Sequence, residues 1–348
     1  MKPTMLAAYL TEHGGPEVIQ LGDLPTPTLA PDEVLVEIHA AALNHLDIWV
    51  RRGWPGIKLH YPHIQGADGA GIVRQVGSLV TTLHPGDRVV INGTISTPEA
   101  ALLAGADNLA AGASVLGEHR SGTFAQYLAI PARNCLPVPP DVSFDAAAAA
   151  ALVFLTAWHS LITRGQLRPG EKVLVVGAGG GVNTAAIQIA ALAGCEVYVI
   201  GSNAEKLARA KSLGAHHLID RSAEPQWSRT VYTLTNKQGA DVVVDNVGAA
   251  TYMHSLRALR RGGRLLTVGN TSGPTFELDN RLIFGKQLTL IGSTMGTMRD
   301  FATVMNLVFT GQLRAPIDSV YPLTEARAAQ EKLERGDIFG KLILHPPH

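Results

Sequence analysis

Apolar and polar positions divide the chain into two regimes. From Lys172 onward, short strand-like runs recur at helix-length spacing, at 172–176, 196–200, 217–219, 241–245, 264–268 and 287–291, with helical patterns between them. The first run follows a Pro169-Gly170 turn signal and has none of the alternation of a strand with one wet face, so it reads as a central parallel strand. Six strands alternating with helices predict an open, doubly wound parallel sheet, an α/β architecture whose ligand crevice lies beyond the carboxyl ends of the strands. Within residues 5–135 the runs are shorter, such as 34–39, 72–75 and 88–91, and glycine and proline punctuate them, which predicts an all-β region. The most apolar segment, 146–163, contains Trp158, His159 and Ser160 and falls short of the ~20 residues of a membrane span. It reads as a buried helix starting after Ser143.

The chemistry concentrates at the predicted strand ends. Gly177, Gly179, Gly180 and Gly181 clear side chains from the place where a phosphate would meet the free N–H groups and positive end of the next helix. The spacing departs from GxGxxG, because its third position is Val182 and the register one residue longer ends on Asn183, which must pack where glycine is expected. Alone, such a turn is more often a plain strand-to-helix connection than a ligand site. Asn246-Val247-Gly248, Gly269-Asn270 and Gly292-Ser293 end later strands and would let a flat dinucleotide lie against backbone. The second strand ends in Gly201-Ser202-Asn203, where sites for NADH carry Asp or Glu to bind the ribose hydroxyls. Ser202 could donate to a 2′-phosphate, with Lys206 and Arg221 supplying charge, so NADPH is expected over NADH. Asp220 argues the other way, and Lys206 with Arg209 could equally form a solvated helix face.

Composition sets bounds on this picture. A chain of 348 residues is long enough for about two domains, and 29 basic against 29 acidic residues give no electrostatic case for nucleic acid or an anionic membrane surface. The N-terminal residues lack the basic flank, apolar run and cleavage site of a signal peptide. The two cysteines, Cys135 and Cys195, offer no disulfide framework, so a reducing cytoplasm is the expected compartment.

The segments ALNHLDIWVRRG, GADGAGIVRQVG, HPGDRVV and LGEHRSGTFAQYLAIPARNCLPVP, followed in order by ALVFLTAWHSL, GAHHLID, DVVVDNVG, GGRLLTVG, LIGSTMGT and FGKLIL, resemble the medium-chain dehydrogenase/reductase superfamily over essentially the whole chain. The resemblance implies a GroES-like domain of residues 1–135 and 317–348, interrupted by a Rossmann nucleotide-binding domain of residues 136–316. The catalytic zinc ligands of the alcohol dehydrogenases would fall on Asn44, Ala67 and Leu152, with Asp68 keeping an acidic character. The four structural-zinc cysteines would fall on Ser96, Glu99, Leu102 and Ala110, and the alcohol proton relay on Leu46 and Trp49. Alanine and leucine cannot bind zinc, so no metal is expected. The Asn44-x-x-Asp47 pair is similar to the zinc-free quinone oxidoreductase branch, which uses NADPH.

Without a metal, a conjugated acceptor is favoured, because it spreads the charge left by hydride transfer over an enolate or phenolate that a few fixed donors can stabilise. The expected activity is therefore NADPH-dependent reduction of a quinone or α,β-unsaturated carbonyl. Asn44 is the candidate donor and Asp47 an orienting residue. The nicotinamide is expected between Gly269-Asn270 and Gly292-Ser293 on one side and the Asn44 region on the other. The resemblance adds His45, Thr156 and Lys341 to the cofactor contacts. His60, His63 and His159 read as packing residues. A dedicated enoyl(-CoA) reductase and a non-catalytic NADPH-binding regulatory protein are the alternatives. Both the resemblance and the exposed last strand of the sheet predict a homodimer, compatible with a dimer of dimers.

Overall fold

The computed structural model describes residues 3–96 and 106–348. The chain divides into two compact units, Met1–Leu152 with Thr297–His348, and Val153–Gly296.

The first unit is built on a seven-stranded sheet in the order Cys135–Pro137, Arg88–Ile91, Asp68–Val76, Glu33–Ala42, Lys341–His345 and Ile317–Pro322, with Tyr127–Pro131 also pairing with Glu33–Ala42. A smaller sheet orders Ile19–Pro25, Thr4–Leu10 and His63–Ile64. Glu33–Ala42 is the axis of the unit, with every residue except His39 buried. Val34, Val36 and Ile38 from this strand join Val73, Val89, Ile91, Phe124 and Leu342 in one apolar core, each large side chain contributing about 1.5–3 kcal/mol. Register then decides the chemistry. Ala42 pairs with Asp68 on one edge and with Ile343 on the other, so Asp68, Lys341 and the residues just past Ala42 gather at one end of the sheet.

The division falls later than residue 135 and earlier than residue 317, and hydrogen bonds give the reason. Arg88 donates to the Val142 carbonyl (2.6 Å) and the Leu152 N–H donates to Asp68 (2.7 Å), which tie the start of the long helix to the β-rich unit. The Met298 N–H donates to Asp107 at 2.8 Å and does the same for the helix Met298–Phe309.

The second unit contains the six-stranded parallel sheet, in the order His217–Asp220, Glu196–Gly201, Lys172–Val176, Ala240–Asp245, Leu259–Thr267 and Thr289–Gly292. In chain order this is 3-2-1-4-5-6, the doubly wound arrangement with its switch point between the first and fourth strands. A strand boundary differs from the sequence expectation. The fifth strand begins at Leu259, upstream of the Gly262-Gly263 pair, and a register shift against Ala240–Asp245 absorbs the irregularity. The apolar helix begins where expected and extends one residue past the apolar segment: Phe144–Arg164 spans 21 residues with mean hydropathy 1.6, enough in length for a membrane span, but 72% of its most apolar window is buried, as in a core helix. Its last turn, His159–Arg164, is a π-helix.

Candidate active site

In the first unit, the chain leaves Glu33–Ala42 and turns at Asn44 into the helix His45–Arg52. The Asp47 carboxylate accepts from the Asn44 N–H at 2.7 Å, closing that turn. This frees the Asn44 side chain for contacts across the sheet end. Its Nδ2 donates to Asp68 Oδ2 at 2.9 Å and, at a long 3.4 Å, to the Ala42 carbonyl, while its Oδ1 accepts from Lys341 Nζ at 2.5 Å. Lys341 Nζ also donates to Asp68 Oδ2 at 3.0 Å. Asp68 Oδ1 accepts from the Leu152 N–H. All three side chains are buried, Lys341 at 3% and Asp68 at 0% exposure, so the ion pair is shielded from the water that makes surface pairs worth little.

A second network holds the helix beneath this triad. Gln65 donates to the Asp47 carbonyl, Gln330 to Gln65, and the fully buried Arg51 to Gln330, to the Gly14 carbonyl and to Glu334. Burial pushes the Asp47 carboxyl up to about 7, against the opposing pull of the Asn44 N–H and the Lys341 charge. Burial, then the Lys341 charge, depresses His45, whose ring is half-buried beside Trp49.

Ala67 and Leu152 present no ligand atom, and an ammonium reaches both Asn44 and Asp68. Lys341 is thus turned toward these two side chains. Ser96 is buried and Ala110 caps a short 3-10 turn; Glu99 and Leu102 lie outside the described residues. Among the described residues, the group with metal-ligand character is Glu37, His39 and His348. Arg74 already holds the Glu37 carboxylate with two donors, which places a positive charge against any cation there.

In the second unit, Lys172–Val176 ends at Gly177 with φ +111°, and the helix Gly181–Leu192 starts with no side-chain cap. Its first N–H groups therefore have no partner within the helix. Gly179, Gly180, Gly181 and Val182 are half-buried. Asn183 is not a defect in this turn. Its Nδ2 donates to the Val176 carbonyl (3.0 Å) and its Oδ1 accepts from Asn246 Nδ2 (3.0 Å), while Asn246 Oδ1 accepts from the Val268 N–H (3.1 Å). One chain of amides joins the ends of three strands. The Val247 N–H donates to Asp245, whose buried carboxylate also holds Thr251 and Ser255. Asn246 and Val247 thus build the turn at these strand ends.

Ser202 and Arg221 lie at neighbouring strand ends: Gly201 pairs with Asp220, and the Arg221 N–H donates to the Gly201 carbonyl at 2.8 Å. Both are exposed, and the N-cap Asn203 accepts from the Lys206 N–H. Asp220 accepts from the Ser222 hydroxyl and N–H, which hold its carboxyl below the usual range and turn it into its own loop. Gly269 and Asn270 follow the fifth strand and Gly292 closes the sixth, with the Ser293 N–H on the Thr267 carbonyl.

The residues present fit a dinucleotide on a further ground. Thr156 Oγ1 and Ser293 Oγ are buried hydroxyl groups with no hydrogen-bond partner, a state that costs about 1–3 kcal/mol each. A ligand amide or hydroxyl at either position removes that penalty. Thr156→Val should accordingly leave the cofactor-free melting temperature unchanged or raised and weaken cofactor binding roughly 3- to 10-fold, one net hydrogen bond. A drop in melting temperature with unchanged affinity, read by calorimetry and fluorescence titration, would show the hydroxyl to be structural.

A GroES-like unit joined to an uncapped glycine turn on a 3-2-1-4-5-6 sheet defines a nucleotide-dependent oxidoreductase class. Residues 30–140 match the family described as alcohol dehydrogenase GroES-like domain, and residues 181–310 match the zinc-binding dehydrogenase family. A crystal structure of an NAD-dependent alcohol dehydrogenase superimposes with TM-score 0.94 at 43% identity, covering 98% of this chain and 99% of that one. A zinc-type alcohol dehydrogenase-like protein of Schizosaccharomyces pombe is 33% identical over 91% of both chains. The quinone oxidoreductase of Homo sapiens is 28% identical over 98% of this chain and 97% of its own. The chain belongs to the medium-chain dehydrogenase/reductase superfamily and is an oxidoreductase of that type.

Sequence reasoning paired Asn44 with Asp47, took Lys341 alone and named Asp68 and Leu152 only at zinc-ligand positions, so it missed that Asp68 is the hub joining Asn44, Lys341 and the Leu152 N–H. The remaining acidic character at position 68 was the available signal.

Proposed function

We propose that the protein is a zinc-independent, NADPH-dependent reductase of quinones or α,β-unsaturated carbonyls. The observation that carries the reading is the Asn44–Asp68–Lys341 triad, an amide, a carboxylate and an ammonium bonded to one another beside Ala67 and Leu152. The zinc-binding description attaches to residues 181–310, a segment that does not include positions 44, 67 or 152. NADPH, when bound, supplies the hydride. The chain's own tasks are to bind the pyrophosphate at Gly179–Val182, to hold the 2′-phosphate with Ser202, Lys206 and Arg221, and to keep the Asn44 amide fixed as a donor to the acceptor oxygen. His45 supports the same site from the first turn of its helix.

The test is consumption of reduced nicotinamide with a quinone and an enone supplied in turn, after exhaustive treatment with a chelator. Turnover should survive the chelator, ethanol oxidation should stay at background, and Lys206→Ala should weaken NADPH but not NADH. Equal affinity for both nucleotides would overturn the NADPH preference. Turnover abolished by the chelator and restored by zinc would overturn the metal-independent reading.

We further propose a homodimer formed through Thr289–Gly292. This edge strand is mostly exposed, with Leu290 at 37% and the nearby Phe284 at 66% exposure, and unpaired edges of this kind favour pairing with a second copy. Light scattering at micromolar concentration should give twice the chain mass of 36.8 kDa. A monomer would exclude the arrangement, and a tetramer would add a second interface to it.

A further inference from the structure

The buried ammonium of Lys341 has a use that cofactor binding does not explain. An amide donates more strongly when its own carbonyl oxygen accepts from a cation, because the charge draws density from the nitrogen. Lys341 Nζ lies 2.5 Å from Asn44 Oδ1. One Asn44 N–H is taken by Asp68 at 2.9 Å, and the other reaches the Ala42 carbonyl only at 3.4 Å, beyond the usual range for a strong bond. That second proton is the one left to be offered elsewhere. Asp68 is itself fixed by the Leu152 N–H and by Lys341, so the amide cannot rotate without breaking two charge-assisted bonds.

We propose that Lys341 is a positioning residue that locks and polarises the Asn44 amide as the donor to the developing oxyanion, with Asp68 as its anchor. The inference rests on the reductase reading above and gives its donor an electrostatic source. The reaction charge would then be stabilised by a cation acting through an amide, with no contact between the ammonium and the substrate.

The experiment compares wild type, Lys341→Met and the double variant Lys341→Met/Asp68→Asn. The single variant leaves the Asp68 carboxylate buried and unpaired, so a loss of stability there is expected and decides nothing by itself. The double variant removes both charges at nearly constant shape and should recover the wild-type melting temperature. It should bind NADPH with unchanged affinity by fluorescence titration, keep KM for the acceptor within a few-fold, and lose about 10- to 100-fold in kcat, the scale found for partners that orient a reactive group. Its Asn44 side-chain amide proton, assigned by comparison with Asn44→Ala, should move upfield.

A double variant with recovered stability and wild-type kcat would overturn the proposal and reduce Lys341 to a counter-ion for Asp68. A tenfold weaker NADPH affinity with unchanged kcat would also overturn it and return Lys341 to the cofactor, leaving the reductase reading intact. An unmoved amide proton in a folded double variant would overturn it whatever the activity. If wild type itself reduces neither quinone nor enone, the reductase reading fails first, and the proposal falls with it.

Discussion

Gly177→Ala should be among the most damaging single substitutions in the nucleotide-binding unit. The residue has φ +111°, and a Cβ there would lie 2.4 Å from Asn183 Nδ2. Alanine at such an angle costs about 1–2 kcal/mol before any contact is considered. The collision also forces the Asn183 amide off the Val176 carbonyl and away from Asn246, leaving buried polar groups unsatisfied at about 1–3 kcal/mol each. A total near 4 kcal/mol lowers the melting temperature by about 8–16 °C in a unit of this size, and affinity for the nicotinamide cofactor should fall at least tenfold. The control is Gly177→Ala/Asn183→Gly, which clears the collision while keeping the unfavourable angle. A double variant no more stable than the single one would mean that Asn183 is not the obstacle.

The second large effect is a pH dependence centred on Asp47. Its carboxyl has a pKa of about 7 in the fold, chiefly through burial, against about 3.9 in an unfolded chain. Between those values the folded protein holds a proton that the unfolded chain has released, so the contribution to stability falls as pH rises from about 4 to about 7. Three units correspond to at most about 4 kcal/mol. Asp47→Asn removes the titration but keeps an oxygen to accept from the Asn44 N–H. Relative to wild type, the variant should therefore gain stability progressively from pH 4 to pH 7 and hold a constant advantage above that. Chemical denaturation across this range measures the difference. A gap independent of pH would place the Asp47 titration outside the interval, and a gap that closes with rising pH would reverse its sign.

The parallel sheet was legible because its strands are continuous apolar runs at regular spacing, and each of the six falls within a few residues of its expected place. What escaped was local. The expected run starts at Arg264, yet the strand Leu259–Thr267 begins upstream and passes through Gly262-Gly263; Gly262, with φ +69°, allows the irregularity that a side chain would resist. The helix Phe144–Arg164 begins where expected and extends one residue past the apolar segment, but composition gave no sign that its end, His159–Arg164, is a π-helix.

The candidate site divides in the same way. Asn183 was visible as a residue out of place, but its bonds to Val176 and Asn246 depend on how three strand ends stack. Asn44 and Asp47 share one turn of helix and can be read together. The contact of Asn44 with Lys341 spans 297 positions in sequence, and no periodicity encodes it. It follows only from the register that pairs Ala42 with both Asp68 and Ile343.

That register has a consequence for the order in which the molecule can be made. The strand Lys341–His345 is inserted between Glu33–Ala42 and Ile317–Pro322, so the first sheet takes its penultimate strand from a segment made after the whole of Val153–Gly296. Synthesis proceeds from the N-terminus, and domains fold as units when their sequence is complete. Val153–Gly296 is one continuous stretch and can close while translation is still under way. The β-rich unit cannot: Tyr127–Pro131 can cover Glu33–Glu37 early, but until Lys341–His345 emerges the Ala41–Ala42 end of that strand lacks its partner there and Asp68 has no ammonium beside it. A chain that folds in this order passes through a stage with the parallel sheet formed and the Asn44–Asp68–Lys341 cluster incomplete. The arrival of one short segment then does two things: Ile343 and Leu344 pair with Ala42 and Ala41, and Lys341 sets an ammonium against the buried Asp68 carboxylate.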